Sequence, residues 1–318
     1  MSAPSGAGTH APLASGQAPT GSPTGVAPPS SARTVLVFAP WGSGSGELGR
    51  KRPLEANPEG PMSLTADASG RIVILDQVNG RLVRLDKDGK PIDTIALPVR
   101  AAQDVAAGKD GTLAVLDRLG DKQVALVGAD GKVRGTLPVE GKGIAEGGAV
   151  TGVFVDGNDV YVEREHGQLV LIGNVSGTPA ADRTEIPGRP TRDGRAFVSA
   201  FLGDPHPADL AYLTVNERPS MALRFTRKIP LPVAAMGIVL LESDRDGVVY
   251  LGVLGEREVA VLCIDERNGA LLGTTTLPPN DMPEETFRDF AVLDAGGFVY
   301  SARDERGVTL MRGDCRSR

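Results

Sequence analysis

Residues 61–98 read PMSLTADASGRIVILDQVNGRLVRLDKDGKPIDTIALP, and this stretch decides the fold. Met62 to Ala66 is a short mixed run. It ends in Asp67-Ala68-Ser69-Gly70, a turn whose glycine takes a positive φ at no steric cost. Ile72-Val73-Ile74-Leu75 is a continuous aliphatic run, the pattern of a strand covered on both faces. Gln77-Val78-Asn79-Gly80 carries an Asn-Gly pair, a strong hairpin signal. Leu82 to Leu85 makes a third strand, Asp86-Lys87-Asp88-Gly89-Lys90 a third turn, and Ile92 to Leu97 a fourth strand that Pro98 stops. Nothing here has the 3.6-residue spacing of an amphipathic helix.

Four short antiparallel strands in about forty residues, repeated, are the signature of a β-propeller blade. One blade cannot bury either of its faces alone, whereas a closed ring buries them all. The same pattern recurs over Ala101 to Gly141 and again from Val150, where a Pro/Gly-rich passage from Ser176 to Arg195 carries the outer strand and a loop. A fourth, irregular repeat is read as Phe197 to Leu202, Leu210 to Val215, Met221 to Phe225 and Ile229-Pro230-Leu231-Pro232, whose prolines place it at an edge. The fifth runs from Ile238 to Leu277. The sixth, opening at Phe290, ends with Val308 to Met311 and lacks a fourth strand. Thr34 to Phe38 is the spare strand that would supply it. The expected architecture is therefore all-β: a six-bladed β-propeller over residues 34–318, closed by its N-terminal strand. All but six of residues 1–33 are Ala, Pro, Gly, Ser or Thr, so a disordered tail or linker is expected there.

Trp41-Gly42-Ser43-Gly44-Ser45-Gly46-Glu47-Leu48, then Gly60-Pro61, then Asp67 to Asp76, then Asn79-Gly80-Arg81-Leu82, resembles an NHL-type repeat. That family shows a W-G-x-G-x-G-x-[FL] opening, a proline, a D-x-x-G turn, a strand ending in Asp and an N-x-R before the third strand. The resemblance spans residues 35–98, weakens to about 140, and beyond that is one of architecture. Some NHL-type propellers bind RNA on a basic face. This chain has a net charge of -6 and no basic run, which argues against nucleic acid.

The 318 residues suffice for one large core, and the 41 Gly and 24 Pro suit many tight turns. No apolar stretch reaches 18 residues, so no helical membrane span is expected. The tail lacks the basic and apolar regions of a signal peptide, yet its composition is that of tethers of extracytoplasmic domains. A periplasmic, secreted or surface-tethered location is favoured, any leader lying upstream or already removed. Cys263 and Cys315 fall in the last two blades, where one bridge could join them.

Polar residues near the starts of inner strands are Gln103, Asp104, Thr151, Glu242, Arg288 and Asp289. Of these, Asp104, Glu242 and Asp289 are the candidate ligands for Ca²⁺, which takes six to eight oxygens. Some six-bladed lactonase-like hydrolases work in this way. Lyases on this fold use several histidines, but His10, His166 and His206 all lie outside the inner strands. Asp86-Lys87-Asp88-Gly89 and Asp244-Arg245-Asp246-Gly247 look like calcium loops but lack the later ligands, and they read as hairpin turns. Asp281-Met282-Pro283-Glu284 predicts a one-turn helix. Glu163-Arg164, Glu217-Arg218, Glu256-Arg257 and Glu305-Arg306 are expected in the turns between second and third strands, where they would form a mixed-charge rim for docking.

The functional expectation is a non-catalytic binding or scaffold propeller, monomeric by itself, presenting one face to a protein or glycan. The alternative is a calcium-dependent hydrolase or lyase at the channel mouth, which requires Asp104, Glu242 and Asp289 to converge.

Overall fold

A computed structural model of the chain describes residues 33–280 and 282–316. The expected tail over residues 1–33, with His10, lies outside these residues apart from Arg33, as does Asp281. The chain opens with strand β1 (Thr34–Pro40). Blade 1 is β2 (Ser63–Ala66), β3 (Ile72–Asp76), β4 (Arg81–Leu85) and β5 (Pro91–Ala96). Blade 2 is β6 (Asp104–Ala107), β7 (Leu113–Asp117), β8 (Gln123–Val127) and β9 (Val133–Pro138). Blade 3 is β10 (Val150–Asp156), β11 (Asp159–Arg164), β12 (Leu169–Asn174) and β13 (Glu185–Ile186). Blade 4 is β14 (Arg189–Pro190), β15 (Ala196–Leu202), β16 (Ala208–Glu217) and β17 (Leu223–Ala235). Blade 5 is β18 (Gly237–Ser243), β19 (Val248–Leu254), β20 (Val259–Asp265) and β21 (Leu271–Leu277). Blade 6 is β22 (Phe290–Val292), β23 (Phe298–Asp304) and β24 (Gly307–Gly313), with β1 as its outer strand. The propeller thus has six blades, and β1 closes the ring, Thr34 facing Arg312 and Pro40 facing Gly307.

The turns form for local reasons. Asp67 Oδ1 accepts the N–H groups of Ser69 and Arg71, and Gly70 takes φ +81°. Asp86 and Asp244 do the same through one oxygen each, so the calcium-like spacing is that of an Asp-capped hairpin turn; the second Asp244 oxygen accepts the Tyr250 hydroxyl. Asp76, at the end of β3, is fully buried. It accepts from Gly49 N–H, Asn79 Nδ2 and Arg81 Nε. Arg81 in turn holds the carbonyls of Gly44 and Glu47, fixing the Trp41–Leu48 loop to blade 1.

Apolar clusters fill the seams between neighbouring blades. The seam between blades 3 and 4 holds only Tyr161, Leu169, Ile186 and Phe197 as buried members, against eleven or more at every other seam. Cys263 and Cys315 form a disulfide joining blade 5 to the chain just after β24.

Blade 4 departs from the sequence expectation. Phe197 to Leu202 is its second strand, not its first. The inner strand is only Arg189–Pro190, and the expected third and fourth strands at 221–225 and 229–232 are one 13-residue outer strand. The expected helical turn at 281–284 is also not formed among its described residues. Glu284 is buried and paired with Arg52, and Glu285 bridges Glu59, which holds this segment extended.

Candidate functional site

The inner strands all run downward from the face that also carries the turns between second and third strands; this is called the upper face. At the channel centre, each carboxylate meets an arginine. Asp104 is fully buried; its Oδ1 accepts from Ser63 Oγ at 2.5 Å, and its Oδ2 from Val153 N–H and from an Arg288 Nη at 2.7 Å. The other Arg288 Nη lies 3.6 Å from Glu242, whose second oxygen lies 3.2 Å from Arg192. The guanidinium carbons of Arg189 and Arg288 lie over the Phe154 ring, 4.8 and 4.9 Å from its centroid. Both distances are within cation–π range.

Asp104 and Glu242 are therefore brought together, but by a shared arginine. Asp289 pairs with Arg303 and accepts from the Thr286 hydroxyl. Among the described residues, only Cys263, Asp314 and Cys315 bring three potential ligand atoms within 4.8 Å of one another, and the two cysteines are bridged. A cation at Asp104, Glu242 and Asp289 would have to displace guanidinium groups already in place.

The expected rim divides. Glu163 is not on a rim at all: it is 2% exposed and takes a bidentate pair from Arg189 at 2.8 and 3.1 Å. Burial works to raise its carboxyl, but the charge and hydrogen bonds of Arg189, with the Thr151 hydroxyl, outweigh burial and hold it below the usual range. Arg164 pairs with Glu185, and Glu305 with Arg50 and Arg52. Arg306 pairs with Asp304, while Glu256 and Arg257 are exposed in their turn. Glu217-Arg218 is a correction. It lies between the third and fourth strands of blade 4, on the lower face, where Arg218 pairs with Asp156. The displacement follows from the misplaced inner strand.

Because β14 begins only at Arg189, opposite Val198, the upper end of β15 is left without an inner neighbour, and an open cavity of about 640 Å³ lies there on the upper face between blades 3, 4 and 5. Gly188, just before β14, crosses so close to β15 that a Cβ there would lie 2.4 Å from the Val198 carbonyl oxygen. The Glu163–Arg189 pair lines the cavity, together with Ser199 to Leu202 of β15. Glu165, His166 and His206 also line it. Phe201 is 55% exposed and stacks on Tyr212, with centroids 4.9 Å apart. Glu165 and His166 are adjacent non-glycine residues at φ +50° and +56°. Such left-handed conformations cost on the order of 1 kcal/mol each and cluster at functional sites. Sequence reading missed this cavity because its members come from three blades. The only local signal was two histidines in turns.

On the lower face, a second buried group stands apart. Glu266, fully buried, faces Asp193 between blades 4 and 5, and both Glu266 oxygens and Asp193 Oδ2 lack a hydrogen-bond partner in good geometry. Burial, reinforced by the Asp193 charge, pushes the Glu266 carboxyl up to about 7. Arg224, 3.8 Å from Glu266, offsets this in part.

No protein-family model matches the chain, and no curated protein matches it. Among solved structures it is similar to Kuenenia stuttgartiensis hydrazine synthase, at 14% identity over 80% of this chain and 78% of that one, with a TM-score of 0.51. It is also similar to U3-55K, at 11% identity over 86% and 100%, with a TM-score of 0.51. Streptogramin B lyase matches at 11% identity over 82% and 96%, with a TM-score of 0.45. At such identities the likeness is one of fold, and these neighbours differ widely in function.

Proposed function

We propose that the chain is a non-catalytic binding propeller of the NHL-repeat kind, acting outside the cytoplasm, with its ligand seated in the upper-face cavity between blades 3 and 5. The carrying observation is that cavity. It joins an exposed aromatic, two histidines and a strained turn beside a buried ion pair. A protein or a glycan suits it, since aromatic faces serve both. The central carboxylates give the calcium-dependent hydrolase or lyase reading little support, because arginines already neutralise them. The disulfide supports an oxidising compartment.

The test is a photo-crosslinking amino acid placed at His166, with Asp246 on the lower face as control, in parallel with a glycan array. The expected result is a crosslinked partner or an array hit at His166 that Phe201→Asp removes. Equal crosslinking at both positions together with a blank array would refute the reading.

A further inference from the structure

In an antiparallel blade, alternate residues of the second strand point their N–H and C=O groups toward the inner strand. Five blades satisfy those groups up to the upper face. In blade 1 the Met62 N–H reaches the Leu75 carbonyl, and in blade 2 the Gln103 N–H reaches that of Leu116. In blade 2 the Gln103 side chain also accepts from Arg118 N–H. In blade 3 Glu165 N–H reaches the Ala149 carbonyl, and in blade 5 Met236 N–H reaches that of Leu254. In blade 6, where the inner strand is short, Asn280 stands in for backbone: its Nδ2 donates to the Ser301 carbonyl and its Oδ1 accepts from Arg303 N–H.

Blade 4 has no such substitute. Pairing of β14 with β15 ends at Val198. Gly203 N–H bonds to Leu210 across the outer side, and Ala196 faces Thr191 on the inner side. The alternation therefore turns Ala200 and Leu202 inward. Among the described residues nothing meets their inward backbone groups, and both residues line the cavity. Half-buried, unpaired strand edges are templates for another strand.

We infer that the cavity takes an extended polypeptide segment of a partner protein, which adds as a strand to Ser199–Leu202 and completes the inner strand of blade 4. This rests on the binding reading above and specifies its partner. Charge narrows the segment further. Beside the two histidines, the acidic and basic side chains lining the cavity are Glu163 and Arg189, which cancel, and Glu165, whose carboxylate is left over; Asp204 lies exposed just outside, two residues from His206. The segment therefore carries a Lys or Arg, and apolar side chains where it passes Phe201 and Ile238.

The probe is a phage-displayed library of random ten-residue peptides, selected on the full chain. The expected winners carry a basic residue. N-methylation at alternate positions of a winner weakens binding about tenfold, while the intervening positions tolerate it, as loss of a backbone hydrogen bond predicts. Ala200→Pro, which removes an inward N–H without touching the ladder to β16, causes a similar loss with unchanged circular dichroism. If Ala200→Pro does not fold, the N-methyl scan on the unaltered chain decides alone. Winners indifferent to N-methylation would overturn strand addition. No winners, alongside a glycan hit or a crosslink at His166, would overturn the polypeptide occupant but keep the binding reading. If both experiments are blank, both proposals fall.

Discussion

Replacing Glu266 with Gln should stabilise the protein at alkaline pH and leave it nearly unchanged in acid. The carboxyl is fully buried against Asp193, and its folded pKa of about 7 stands above the 4.5 of an unfolded glutamate. Below pH 4.5 both states hold the proton and nothing is gained or lost. Between 4.5 and 7 the unfolded chain releases it while the folded chain keeps it. The folded state then binds more protons, so stability falls as pH rises through this window and levels off above it. A difference of 2.5 pKa units is worth about 3 kcal/mol at 1.36 kcal/mol per unit. Glutamine fills the same space without a charge to desolvate. For a domain of this size that free energy corresponds to roughly 5 °C in Tm. Thermal unfolding of both proteins from pH 4.5 to 8.5 should show their Tm gap opening from near zero to about that value. A gap of constant size across the series would show that ionisation at Glu266 is not the cause.

Three further outcomes are expected. Reducing the Cys263–Cys315 bridge, which closes a loop of 52 residues, should lower stability by about 4 kcal/mol, read from the urea midpoint against a Cys263→Ala/Cys315→Ala control that no longer responds to reductant. Arg189→Met should cost about 3–5 kcal/mol because Glu163 is left buried and unpaired, and adding Glu163→Gln should restore most of it in a double-mutant cycle. Calcium up to millimolar should leave Tm unmoved; a rise abolished by Asp104→Ala would instead reinstate a metal site at the channel centre.

The parts of the fold legible in the sequence are those set by neighbours in the chain. Asp67 with Gly70, Asp86 with Gly89 and Asp244 with Gly247 each build a turn from their own few residues, so the hairpins and the ring count could be read directly. The closing role of Thr34 to Phe38 followed from counting strands. Arg189–Pro190 could not be read as an inner strand. It is two residues long, contains a proline, and its place depends on Gly188 pressing against Val198 across the blade. The apolar run at Phe197 then took its place by default, which carried Glu217-Arg218 to the wrong face. The cavity shared the same blind spot. Glu163 looked like a solvent-facing turn residue because its partner, Arg189, lies 26 positions away on another blade.

Closure by β1 also sets how the ring responds to force. Thr34 and Arg312 are opposite one another at the same end of the β1–β24 pair, and Cys315, three residues on, is bonded to Cys263 in blade 5. Tension between the N-terminal side of Thr34 and the body of the ring is thus applied across the first rung of a ladder whose far side is anchored covalently. Rungs in that geometry open in sequence, like a zip, rather than sharing the load as they would if the strands were pulled past each other. The ring can be thermodynamically stable and still be peeled open from this one corner by a modest pull.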